Sequence, residues 1–103
     1  MADLWIEVGS GAVRAAGVSE VSVTKSSRVV GGRMSRDRYA VVLRFFGSAN
    51  TAGKSRTRAV WSCDRESDAE RVARELLRHL ITDAARPGVL VVHPSGEIEL
   101  REV

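Results

Sequence analysis

The chain has 103 residues and a formal net charge of +3, with 44% apolar and 28% charged residues, a make-up that excludes a disordered or fibrous chain. Residues 1–103 read as a single domain, long enough for one core without disulfide staples. The single cysteine, Cys63, excludes an internal disulfide, and no apolar run reaches membrane-spanning length.

The first residues, MADLWIEVGSG, show neither the basic nor the apolar region of a signal peptide. With a lone thiol, the expected compartment is reducing and the expected location cytoplasmic. The charge is uneven: residues 1–24 sum to −2, 25–58 to +8, 59–86 to −1 and 87–103 to −2. The middle block is therefore the place to look for an anionic partner.

In chain order, Leu4 to Val8 reads as a strand with Leu4, Ile6 and Val8 on one face. Gly9-Ser10-Gly11 is a turn, and Ala12 to Ala16 a short return strand. Val18 to Lys25 alternates, with Val21 and Val23 inward and Glu20, Ser22 and Thr24 outward. Ser26 to Asp37 carries Gly31-Gly32 and scattered arginines and reads as a mobile loop. Arg38 to Phe46 is the strongest strand, expected at the sheet centre, with Tyr39, Val41, Leu43 and Phe45 on one face. Gly47 to Ser55 is a polar loop. Thr57 to Cys63 follows as a strand, with Ala59, Trp61 and Cys63 expected on one side and Arg58, Val60 and Ser62 on the other.

Residues 66–84 form the clearest element. Ala69, Val72, Ala73, Leu76, Leu77, Leu80, Ile81 and Ala84 fall at the i, i+3, i+4 spacing of an amphipathic helix. Ser67 and Glu70 have the spacing of a capping box, with Asp64 as a rival N-cap. Glu70–Arg74, Arg71–Glu75 and Glu75–His79 stand at i, i+4 on the outer face. Pro87-Gly88 ends the helix, and Val89 to His93 with Glu97 to Val103 makes a C-terminal hairpin. Its turn, Pro94-Ser95-Gly96, places Pro at i+1 and Gly at i+3.

Each chemical motif has a plainer reading. Ser48 to Ser55, SANTAGKS, approaches a phosphate-binding loop, but Gly47 stands one position early and a strand follows where a helix N-terminus is needed. Cys63, His79 and His93 show no paired metal-ligand spacing, so no metal or other cofactor is expected. No nucleophile stands beside a base, and no paired carboxylates suggest a cleft, so no catalytic residue is assigned and an enzyme is not expected. What survives is the basic block. Lys25, Arg28, Arg33, Arg36 and Arg38 flank one loop, and Lys54, Arg56 and Arg58 flank the other, as candidate anion- or partner-binding residues. The aromatic platforms that single-strand binding favours are few: Trp5, Phe46 and Trp61.

The order strand, glycine turn, short strand, VSEVSV, then YAVVLRFF, RAVWSCD and ERVARELLRHL resembles the small bacterial pleckstrin-homology-like domains. It is similar also to short actinobacterial proteins of that layout. The resemblance implies a bent antiparallel sheet, a partly open barrel, closed by one helix, and a binding module for peptides, proteins or lipid headgroups, some of which oligomerise. The hairpin after the helix departs from that pattern. A four-strand-plus-helix coactivator fold that dimerises on single-stranded DNA has the same element order without the hairpin.

The combined expectation is an α+β domain, an antiparallel sheet packed by helix 66–84 with a C-terminal hairpin. Its expected role is a non-enzymatic interaction module that binds a protein or peptide or self-associates. The alternative is single-stranded nucleic-acid binding through residues 25–58, with an anionic lipid headgroup as a further possible partner.

Overall fold

The computed structural model describes residues 3–9, 11–26, 29–30, 33–34, 37–46 and 57–102. The strands are β1 (Leu4–Val8), β2 (Gly11–Arg14), β3 (Val18–Ser26), β4 (Val29–Val30), β5 (Arg33–Met34), β6 (Arg38–Phe45), β7 (Thr57–Cys63), β8 (Gly88–Val92) and β9 (Ile98–Arg101). A short 3-10 turn spans Ala15–Gly17, and helix α1 spans Glu66–Thr82. The expected α+β architecture is present. One sheet has the order β2-β1-β8-β9, a second the order β3-β6-β7, and β4 pairs with β5. Among the described residues the sheets do not close into a barrel.

β6 is the central strand of the three-stranded sheet, as its two apolar faces predict. Val21 pairs with Leu43 and Val23 with Val41, so the inward residues of β3 share a face with the buried side of β6. α1 lies across that face. Ala69, Val72 and Leu76 of the helix are fully buried with Val41 and Leu43 from the sheet and Leu4, Ile6 and Leu90 from the other sheet. That one contiguous apolar cluster holds both sheets and the helix together.

Four local expectations are corrected. The segment 26–37 is not only loop: Val29 pairs with Met34 and Val30 with Arg33, in the same antiparallel sense as β3 and β6. The β-branched valines favour that extended path. In β7, Trp61 pairs with Val41 but Ala59 with Val42, so the register slips at Val60. A bulge inverts the faces on either side of it. Trp61 and Cys63 therefore face the core with Val41 and Tyr39, whereas Ala59 lies on the outer face with Val42, and Arg58 shares a face with Leu43.

The expected capping box does not form, because the helix starts at Glu66. Arg65 is the N-cap, extended at φ −122°, with no side-chain capping bond. Ser67 thus sits inside the first turn, where its hydroxyl cannot act as a cap. The arginines also choose i, i+3 partners over i, i+4: Arg71 reaches Asp68 at 3.8 Å and Arg78 reaches Glu75 at 2.6 Å. Both spacings are neighbours on a helix, and here the acids toward the N-terminus are the ones contacted.

The C-terminal hairpin is present, but it does more than trail the helix. β8 pairs in parallel with β1, Ile6 opposite Leu90, and antiparallel with β9. Its unbroken apolar run, GVLVV, suits a strand covered on both faces. Leu90 is fully buried and Val91 is 9% exposed. The turn 93–96 closes as expected, with the Gly96 N–H donating to the His93 carbonyl at 2.8 Å.

Candidate functional site

The basic residues do not converge among the described residues. Lys25 pairs with Tyr39 and Arg38 with Ser26 across adjacent rungs, so their side chains leave opposite faces of the sheet. Lys25 holds Asp37 at 3.3 Å, and that hydrogen bond keeps its ammonium above the ordinary lysine range. Arg38 donates to the Ser62 hydroxyl at 3.1 Å. Arg58 is exposed beside the turn after β1, in a shallow hollow shared with Val8 and Val13. Arg33 is placed by its backbone in β5. Arg28, Arg36, Lys54 and Arg56 lie outside the described residues, as does the SANTAGKS segment. Among the aromatics, Trp5 is covered by the Arg14 guanidinium at 5.4 Å. Trp61 packs against the core, and Phe46 is 69% exposed.

The three groups with soft ligands are held in structural contacts. The Cys63 thiol donates to the Arg65 carbonyl at 3.0 Å, fixing the entry to α1. His79 Nδ1 lies 2.8 Å from Asp83 Oδ2, where the helix ends. His93 Nε2 is 3.6 Å from Glu99, whose carboxyl is also bound by Arg101 at 3.1 Å. The Arg101 hydrogen bond, with His93 adding, holds Glu99 below the usual carboxylate range. Among the described residues no three His, Cys, Asp or Glu side chains gather as metal ligands, and no charged or polar residue is buried. No helix there is long and apolar enough to cross a membrane.

A more enclosed concavity lies elsewhere among the described residues. A cleft of about 350 Å³ runs between the C-terminal half of α1 and the chain entering β3. Leu77, Leu80 and Ile81 form its helix wall, and Ala15, Val18 and Val21 its far wall. The rim is charged. Arg14 stands 3.8 Å from Asp3, and Glu20 stands 3.5 Å from Arg44. The cleft exists because the apolar stripe of α1 is wider than the surface the sheets offer. Leu76 is fully buried, but the next residue, Leu77, is 46% exposed, and Ile81 is 73% exposed. The sequence carried this signal in the excess apolar positions 77, 81 and 84, which a single core-facing stripe does not need. No protein-family model, curated protein or solved structure matches this chain.

Proposed function

We propose that this chain is a non-enzymatic protein-interaction module that meets its partner at the α1–β3 cleft. The observation that carries this reading is the exposure of Leu77 and Ile81 on the wall of an apolar concavity, beside fully buried Leu76. Large apolar side chains grouped with a cavity mark contact surfaces more often than isolated exposed ones do. Burying such a side chain from full exposure is worth about 1.5–3 kcal/mol, so covering Ile81 contributes most of that and Leu77, 46% exposed, about half. The charged rim, Asp3, Arg14 and Glu20, supplies the polar margin that such surfaces have. Among the described residues, oligonucleotide binding gains no comparable surface, since Lys25 and Arg38 face opposite ways.

The test is a photo-reactive amino acid placed at Ile81, with Arg71 on another side of the helix as the control position. Irradiation in the native host is expected to give discrete protein adducts from position 81 only, and Leu77→Glu is expected to remove them. Adducts from both positions alike, or from neither, count against the cleft as a contact surface.

A further inference from the structure

Two apolar seams run side by side on α1. Ala69, Val72 and Leu76 are fully buried in the chain's own core. Ala73, Leu77 and Leu80 form the second seam, repeating at 4 and 3 residues, the spacing by which one helix packs along another, and Ala84 follows on the turn just past the helix end at Thr82. Ala73 and Leu80 are half-buried, while Leu77, Ile81 and Ala84 are exposed. Resting on the reading of the cleft as a contact surface, we propose that a second copy of this chain covers this seam. The two α1 helices run antiparallel, with a two-fold axis beside Leu77.

Three features fit a copy in that orientation. First, pairing about Leu77 sets Ile81 of each copy opposite Ala73 of the other, a large side chain against a small one. Second, it carries Glu70 of each copy toward Arg86 of the other. Arg86 stands on the turn just past the end of α1 at Thr82, the end that antiparallel pairing brings to Glu70. Glu70 is exposed and makes no ion pair among the described residues. Arg86 is 67% exposed, and its contact with Asp83 is 3.7 Å long. Third, a parallel copy would set Glu70 against Glu70 and Arg74 against Arg74, whereas the antiparallel one also opposes the helix dipoles.

Sedimentation equilibrium and a thiol trap test this together. The wild-type chain is expected at twice the single-chain mass, and Leu77→Glu at the single mass with an unchanged helical spectrum. In a Cys63→Ser background, Leu77→Cys is expected to link to its own copy under oxidised glutathione, while Arg71→Cys does not. Glu70→Arg is expected to weaken association by roughly tenfold, the size of two exposed ion pairs, and the added change Arg86→Glu to restore it. A single-chain mass up to the solubility limit overturns the proposal, as does a dimer that survives Leu77→Glu. A monomer whose position 81 captures a different protein overturns the second copy but leaves the cleft reading standing. A monomer with no capture at 81 removes both.

Discussion

Gly96 lies against the indole of Trp61. A Cβ on Gly96 would stand 3.2 Å from Cζ2 of that ring and 2.9 Å from Cγ2 of Val72. The Trp61 Nε1–H completes the clamp by donating to the Pro94 carbonyl at 3.1 Å. The hairpin turn is thereby docked onto both α1 and β7, and Gly96, at φ +89°, is buried there.

The first prediction concerns that glycine. Gly96→Ala adds a crowded methyl to a backbone conformation that L residues avoid. The expected loss is about 2–3 kcal/mol of unfolding free energy by urea titration. A loss under about 0.5 kcal/mol, the range of ordinary surface changes, would contradict the docked turn.

Gly88 offers a harsher case. Its Cβ would meet the Arg101 carbonyl oxygen at 2.6 Å, a backbone atom held in the β8–β9 ladder. Its N–H also donates to the Asp3 carbonyl at 3.3 Å, on the β1 side. Gly88→Ala is expected to cost more than Gly96→Ala in the same titration, because a ladder carbonyl yields less readily than side-chain tips. The reverse order would mean that β8 is not seated between β1 and β9.

Neighbouring leucines on α1 should behave oppositely. Leu76→Ala leaves a cavity in the core and is expected to cost about 2–5 kcal/mol. Leu77→Ala, measured at dilution, should fall within about 1 kcal/mol of wild type, since its side chain keeps much of its contact with water. Equal losses would show that the helix is rotated from the face described above.

Acid titration gives a fourth check. The Arg78 hydrogen bond at 2.6 Å holds Glu75 below its ordinary value of 4.5. A carboxyl whose folded value is depressed contributes stability above its unfolded value, and that contribution is lost as pH falls through the folded value. Lys25, raised above 10.5 by Asp37, contributes fully below 10.5 and loses its share as pH rises through the folded value. Between those two windows both contributions are in place. Carboxyl NMR should place Glu75 below 4.5 in wild type and move it upward in Arg78→Gln. An unmoved midpoint would remove the ion pair from solution.

Much of this was legible in the sequence, and the misses share a cause. Periodicity located β1, β3, β6 and α1, because each buries one face and so writes its geometry into residue spacing. It placed Ala59 wrongly because a bulge at Val60 costs one residue of register and leaves no compositional mark. The parallel pairing of β8 with β1 was also unreadable. GVLVV announces a strand covered on both sides, but pairing between residues 6 and 90 is set by the tertiary core. The capping box failed because Ser67 has the right spacing at the wrong turn, and the thiol contact from Cys63 to the Arg65 carbonyl marks the true entry. The cleft was visible only as surplus: Leu77 and Ile81 fit the helical stripe, and only the packed structure shows that nothing in the described chain covers them.

The central claim is that another protein surface covers the Leu77–Ile81 face. It is tested most directly by the rate at which a maleimide labels the thiol of Ile81→Cys in a Cys63→Ser background. The same rate is measured at Arg71→Cys, at high and at low protein concentration and in host extract. Protection at position 81 that lifts on dilution of the purified chain, with position 71 labelled rapidly throughout, is the expected result. Equal, fast labelling at both positions under every condition would contradict it.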